Sequence, residues 1–129
     1  MKGVVSRMKE FKIYIENRTG ALADLCELLA NNAVNIKGIS TNGDGVRIVT
    51  SDEKTTRDIL SKARHSFDED EVLIMSLADR PGEMAKISRM LSRAGVNIEA
   101  AYIIGGNSES KDVVLKVSDN GKAIGTLRF

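Results

Sequence analysis

Residues 79–98, DRPGEMAKISRMLSRAGVNI, repeat the pattern of residues 17–36, NRTGALADLCELLANNAVNI, after an interval of 62 positions. Aligning residues 17–40, the first repeat, with residues 79–102, the second repeat, gives seven identities in 24 positions. Average composition would give about one or two identities by chance, so the chain is an internal duplication. Hydrophobic cores tolerate many apolar swaps, and the retained arginine, glycine and asparagine therefore need a backbone or binding explanation.

The duplication divides the 129-residue chain into two predicted modules, residues 1–71 and 72–129. A module of about 60 residues has a marginal hydrophobic core, so we expect the modules to pack on each other or on a second chain. Hydrophobic residues make up 42% of the sequence and charged residues 29%, which is typical of a folded globular protein.

Charge and apolar runs argue against several classes of protein. The net charge is +1, from 19 basic and 18 acidic residues spread along the chain, so no broad field attracts nucleic acid. The start lacks the apolar run of a secretion signal, and no stretch approaches the ~20 apolar residues that span a bilayer. We therefore expect a cytoplasmic protein with neither nucleic acid nor membrane as a partner.

Apolar periodicity predicts the elements of the first module. Ser51 and Asp52 supply N-cap chemistry for a second helix, whose predicted buried stripe is Ile59, Leu60 and Ala63. A hairpin turn rich in asparagine and glycine joins the second and third strands. The predicted bounds are a strand at 11–15, a helix at 22–32, and strands at 34–41 and 46–50.

The second module repeats this order but ends early. Residues 68–71, DEDE, read as a solvated linker, and residues 72–78 as a strand that closes the first sheet and opens the second. The last twelve residues leave room for a short helix or a short strand. The predicted fold is α+β, a ferredoxin-like β-α-β-β-α-β sandwich in two tandem copies, the second abbreviated at its C-terminus. Its uncovered sheet face and unfinished edge predict a homodimer.

At residues 18–20 and 80–82 a predicted strand ends and a helix begins. Free backbone N–H groups and the positive end of the helix dipole face such a turn, so it can hold a carboxylate. Gly20 and Gly82 allow a ligand to approach the backbone closely. An asparagine or aspartate opens each turn, 18 positions before the asparagine of a Val-Asn-Ile strand.

The [Asn/Asp]-Arg-Pro-Gly-x-[Leu/Met] turn, the helix and the Gly-Val-Asn-Ile strand resemble the ACT domain, a small-molecule regulatory module of amino-acid metabolism. The second repeat is the closer match, because Thr19 and Ala33 depart from the pattern in the first. In ACT domains that bind amino acids, the ligand contacts this turn and the strand asparagine at an interface between paired modules. The resemblance implies the ligand-binding residues Asn17, Gly20, Ala21, Leu22, Asn35 and Ile36 in the first repeat and Asp79, Gly82, Glu83, Met84, Asn97 and Ile98 in the second.

The two implied sites differ in charge. The carboxamides of Asn17 and Asn35 both donate and accept, so they can satisfy the two ends of one zwitterion. Ionised Asp79 only accepts, and Glu83 adds a second negative charge near the helix N-terminus. We therefore predict that the first repeat is the better receptor for an amino-acid carboxylate.

Each of these residues also has a structural interpretation. The residue that opens each turn can cap its helix, and the strand asparagines can satisfy backbone groups. We expect Arg18 and Arg80 to be solvated or ion-paired, Cys26 to act as a small core hydrophobe, and His65 to lie at a helix end.

The sequence predicts no enzyme, no metal site and no cofactor, because no nucleophile, base and orienting group converge and the acidic run lacks a calcium-loop pattern. The leading interpretation is a non-catalytic sensor that binds an amino acid or related effector and regulates a partner enzyme of amino-acid metabolism in trans. The alternative is an assembly or regulatory-subunit module that needs no ligand. RNA binding is disfavoured because Tyr14 is the only ring on the outward face of the first strand.

Overall fold

The computed structural model describes residues 3–43 and 45–127, with side chains from Ser6 onward. The described strands are β1 (Gly3–Tyr14), β2 (Ile36–Thr41), β3 (Gly45–Thr50), β4 (Ser66–Ala78), β5 (Ile98–Gly106) and β6 (Ser110–Val117). The described helices are α1 (Ala21–Asn31), α2 (Glu53–Lys62), α3 (Glu83–Arg93) and α4 (Asn120–Thr126). The chain divides into two compact units: Lys9–Asp70, and the residues up to Met8 together with those from Glu71 onward.

In the Lys9–Asp70 unit the strand order is β2-β3-β1-β4, and β3 is antiparallel to both β2 and β1. Phe11 and Ile13 alternate with Lys12 and so point to one face of the sheet. Residues of α1 and α2 pack on that face, which gives the two-layer α+β arrangement that the apolar periodicity predicts. The core residues are Phe11, Ile13, Leu25, Leu29, Val34, Val46, Ile48, Ile59 and Leu60.

In the other unit the strand order is β1-β4-β6-β5, with residues 3–8 as its part of β1. Strand β6 is antiparallel to β4 and to β5. Helix α3 and the short helix α4 contribute to a second core. Its residues are Leu73, Met75, Leu77, Ile87, Leu91, Val96, Val113, Leu115, Val117, Ala123 and Leu127.

The abbreviated second copy ends in a helix. The Asp119 side chain accepts the Lys122 backbone N–H at 2.9 Å and caps α4, while Ala123 and Leu127 are fully buried. Residues 3–8 of β1 occupy the position beside β4 that a closing strand of this copy would take. Because the same chain fills that position, the abbreviation itself does not require a second chain.

The α+β fold with two ferredoxin-like copies is confirmed, but two local predictions are wrong. Residues 68–71 belong to β4, because partners stabilise their carboxylates in a strand: the Tyr14 hydroxyl donates to Asp68 Oδ2 at 2.5 Å. Ala63 is the exposed C-cap of α2, and Thr56 is buried in the helix instead. The Thr56 and Thr50 hydroxyl oxygens lie 2.8 Å apart, so the buried polar groups satisfy each other.

Candidate functional site

The two repeats place a glycine in the same backbone conformation at the start of a helix. Gly20, before α1, has φ 90°, and Gly82, before α3, has φ 89°. A Cβ at Gly82 would meet no atom within 4 Å, so the positive φ, and not lack of space, favours glycine there. Each turn therefore presents the first N–H groups of an 11-residue helix.

The residues that open the turns do not cap these helices. The N-caps are Gly20 and Gly82, and neither helix has a side-chain cap in the described part of the chain. Asp79 instead directs Oδ1 toward Lys111 Nζ at 3.4 Å, and its backbone N–H donates to Glu109 O at 2.8 Å. The capping interpretation of Asn17 and Asp79 is thus wrong.

The strand asparagines are held through their backbones in both repeats. The N–H of Asn35 donates to Ser51 Oγ at 3.2 Å, and that of Asn97 donates to Ser118 Oγ at 2.9 Å. In return, the N–H groups of the two serines donate to the carbonyls of Asn35 and Asn97 at 3.0 and 2.9 Å. Both asparagines are exposed, and their backbone groups take the structural role.

Each copy of the duplication therefore also contains a Ser-Asp pair, Ser51-Asp52 in the first and Ser118-Asp119 in the second. These pairs lie outside the aligned repeats. Asp52 caps α2 by accepting the Thr55 N–H, as Asp119 caps α4. The Thr55 N–H and hydroxyl bonds hold the pKa of Asp52 below its usual value. The sequence signal was available in the Ser-Asp dipeptides at 51–52 and 118–119.

Around the second repeat, two depressions together include all six implied residues. A cavity of about 260 Å³ is lined by Asp79, Gly82, Glu83 and Met84 together with Leu77, Ala78, Arg80, Ala85, Ile103, Lys111 and Val113. We call it the turn cavity. A more open depression of about 540 Å³ includes Met84, Asn97 and Ile98. Met84 borders both, so one side chain connects the turn with the strand asparagine.

Around the first repeat, a depression of about 280 Å³ includes only Ala21 of the implied residues. Its other lining residues are Tyr14, Ile15, Glu16, Arg18, Asp24 and His65. Leu22 is exposed on α1, and Asn17 and Asn35 are also exposed. Gly20 lies in the turn, and the half-buried Ile36 starts β2. The six implied residues of the first repeat have the same degrees of exposure as their counterparts in the second, but this depression includes only one of them.

The charges of the second repeat are paired. Glu83 is only 6% exposed, and its Oε1 accepts from Arg80 Nε at 2.6 Å. This hydrogen bond and the charge of Arg80 hold the pKa of Glu83 below its usual value, against the opposing effect of burial. Arg18 lies 3.1 Å from Glu16 Oε2, so both turn arginines are ion-paired, as predicted.

Sequence reasoning missed two contributors to the turn cavity. Lys111 lies on β6, and only the strand pairing brings it to Asp79. The exposed Ile103 comes from β5. The described residues contain no group of three histidine, cysteine or acidic side chains that could hold a metal ion. Among the same residues, no helix is long and apolar enough to cross a membrane.

Comparisons with known proteins identify the family and the fold. A family model described as an ACT domain pair matches residues 6–124. Among solved structures, protein BT0572 from Bacteroides thetaiotaomicron is 29% identical, with a TM-score of 0.82 over 95% of this chain and 87% of that one. A comparison with curated protein sequences finds no match.

Two aspartate kinase structures share the fold at lower identity. The regulatory subunit from Thermus thermophilus, in its ligand-free form, is 16% identical, with a TM-score of 0.63 over 98% of this chain and 93% of that one. E. coli aspartokinase III, in complex with lysine and aspartate, is 15% identical, with a TM-score of 0.64 over 97% of this chain and 30% of that one.

Proposed function

The chain belongs to the ACT domain pair family, and we propose that it is a non-catalytic regulatory protein that binds an amino acid and acts in trans on an enzyme of amino-acid metabolism. The supporting observation is the duplicated turn, in which a glycine with φ near 90° starts a helix and an exposed asparagine lies at the strand that follows it. Free N–H groups at a helix start bind a carboxylate. An asparagine carboxamide accepts an ammonium proton or donates to a carboxylate.

The proposed ligand contacts are the six implied residues of each repeat. In the first repeat, Ala21 is uncharged, and Asp24, the acidic residue in the first turn of α1, lies 3.5 Å from Arg18 Nη2, which supports this repeat as the better receptor for a carboxylate. In the second repeat, Arg80 and Lys111 counterbalance Glu83 and Asp79. The second site therefore carries less net negative charge, and repels an anion less, than its acidic residues alone suggest. As sequence repeats, the proposed modules are residues 1–71 and 72–129, although the residues up to Met8 belong to the compact unit that includes the second module. The proposed location is the cytoplasm.

A second candidate is an assembly module that holds partner subunits together without a ligand. Its support is apolar surface on two edge strands: Ile39 of β2 is 41% exposed and Ile103 of β5 is 59% exposed. Edge strands with exposed apolar side chains associate readily with other chains. The same surface supports a homodimer.

A thermal unfolding screen of the purified chain against each standard amino acid distinguishes the two candidate functions. A ligand at 100 times its Kd adds about 2.7 kcal/mol of stability, a shift of several degrees for a chain of this size. A shift with one or a few amino acids supports the sensor. No shift with any, together with a stable oligomer in size-exclusion chromatography, favours the assembly module.

Single substitutions in each repeat show which repeat binds the amino acid. Asn17→Ala and Asn35→Ala should reduce the shift, and Asp79→Ala should leave it intact if the first repeat is the better receptor. Asn31→Ala is the matched control, because Asn31 is an exposed asparagine on α1 outside the implied set. The preference for the first repeat would be refuted if Asn17→Ala kept the shift and Asp79→Ala abolished it.

A further inference from the structure

The sequence contains two Asn-Gly dipeptides, Asn42-Gly43 and Asn120-Gly121. An asparagine side chain can lose its amide when the next backbone nitrogen attacks it, and a following glycine has no side chain to hinder that attack. The reaction also requires that the carboxamide is free to turn toward the nitrogen. The surroundings of each dipeptide therefore decide which of the two reacts in the folded chain.

Asn42 and Gly43 lie in the hairpin turn between β2 and β3, and both are exposed. The Asn42 backbone N–H donates to Gly45 O at 3.4 Å, which is long for such a bond. Among the described residues, none forms a hydrogen bond with the Asn42 carboxamide. Gly43 has φ 88°, a left-handed conformation that favours glycine at this position. The turn thus presents a free carboxamide beside an unhindered nitrogen.

Asn120 has different surroundings, as the half-buried first residue of α4. Its Nδ2 donates to Glu71 O at 3.1 Å, and its Oδ1 is buried. The carboxamide therefore cannot turn toward Gly121 without breaking a hydrogen bond to the strand beside it. The same dipeptide is held in one place and free in the other.

We propose that Asn42 is a site of spontaneous deamidation in the folded protein and that Asn120 is protected. The Gly43 nitrogen gives its proton to hydroxide and bonds to Asn42 Cγ, the Cγ–Nδ2 bond breaks, and the amide nitrogen takes a proton from water and leaves as ammonia. Water then opens the succinimide ring at either carbonyl, which leaves aspartate or isoaspartate at position 42. The net reaction consumes one water and releases one ammonia, so it needs no oxidant or other co-reactant.

The hairpin turn lies beside the site implied for the first repeat. A Cβ placed on Gly43 would lie 3.9 Å from Asn17 Nδ2. A carboxylate at position 42 therefore adds negative charge near a residue proposed to contact a ligand, and like charges repel. Deamidation thus lowers the affinity of the first repeat for an amino-acid carboxylate. This consequence rests on the proposed function, whereas the reaction itself does not.

The test is incubation of the full chain at mildly alkaline pH, followed by trypsin digestion and mass spectrometry. The two dipeptides fall in separate peptides, residues 38–47 and 117–122. Deamidation replaces an amide NH2 by a hydroxyl and raises the peptide mass, which isomerisation of an aspartate does not. In the folded chain the 38–47 peptide should be converted about tenfold faster, because Asn120 reacts only when α4 opens locally.

Two controls separate structure from sequence. In guanidinium chloride the two peptides should be converted at similar rates, because unfolding frees Asn120. Asn42→Gln should abolish conversion of the 38–47 peptide, because the longer side chain closes a ring far more slowly. Asn31→Gln, which changes an exposed asparagine that no glycine follows, should leave the rate at Asn42 unchanged. Equal conversion of both peptides in the folded chain, or no conversion at Asn42, would overturn the inference.

The consequence for binding is measured by calorimetry of Asn42→Asp with an amino acid that binds wild type. Its affinity should be about threefold lower, the effect of one added charge in a solvated turn. Unchanged affinity would refute the consequence. If Asn42 is converted while no amino acid binds, the modification site stands and the sensor proposal fails. If an amino acid binds while Asn42 stays intact, the sensor proposal stands and this inference fails.

Discussion

Arg80 Nε lies 2.6 Å from Glu83 Oε1, an ion pair that spans the turn at the start of α3. The matching residues of the first repeat are Arg18 and Ala21, so the duplication does not reproduce this pair. Gly20 and Gly82 nevertheless have φ values within one degree, 90° and 89°. The two turns thus have the same backbone conformation but different charges. Substitutions can test the effect of each property separately.

The backbone of the turn is tested by Gly82→Ala. We expect the free energy of unfolding to fall by about 1–2 kcal/mol, because a left-handed φ brings a Cβ close to the next carbonyl oxygen. Gly105→Ala is the control, since a Cβ at Gly105 also meets nothing within 4 Å and Gly105 has no positive φ. Urea denaturation measures both variants, and equal losses of stability would contradict the explanation.

The strand at the chain's start is tested by removing residues 1–8. Residues 3–8 belong to the same compact unit as the residues from Glu71 onward, and there they lie beside β4. Their loss therefore exposes the backbone of β4. Amide hydrogen exchange at residues 71–78 should become about tenfold faster. Arg7→Gln, the control, removes only the 2.8 Å ion pair with Glu71 and should change stability by less than about 1 kcal/mol. Unchanged exchange after the deletion would show that β4 does not need this neighbour.

The pH dependence of stability is expected to reflect Glu69. Arg57 donates from Nε and Nη2 to the two oxygens of Glu69, and these bonds hold the pKa of Glu69 below 4.5. A lowered pKa in the folded state contributes stability that is present above the unfolded pKa and is lost as the pH falls through the folded pKa. The stability difference between wild type and Glu69→Gln should thus be constant near neutral pH and shrink below about pH 4.5.

Urea midpoints between about pH 3 and pH 7 measure this difference. Glu27→Gln is the control, because it removes an exposed carboxylate on α1. A difference that grew on acidification would have the wrong sign for a lowered pKa and would refute the assignment.

The duplication, the fold class and most of the elements could be predicted from the sequence because they rest on local periodicity and turn chemistry. The role of residues 3–8 could not, since they pair with a strand more than 60 positions away and the local pattern does not specify that partner. The acidic run looked like a linker because Arg57 and Tyr14, which bind its side chains, are remote in sequence.

The candidate site likewise has some features that could be predicted from the sequence and others that could not. The turn glycines and strand asparagines are visible as repeated residues. Lys111 and Ile103 join the turn cavity only through the pairing of β5 with β6. Such atomic relationships arise from tertiary packing and leave no periodic signal in the chain.

The most direct measurement is a calorimetric titration of the full chain with each standard amino acid, repeated for Asn17→Ala, Asn35→Ala and the Asn31→Ala control. We predict saturable heat with at least one amino acid, an affinity about tenfold lower when Asn17 or Asn35 loses its carboxamide, and no change in the control. Absence of saturable heat with every amino acid would contradict the proposed sensor, and wild-type affinity in both Asn17→Ala and Asn35→Ala would contradict the assignment of its site to the first repeat.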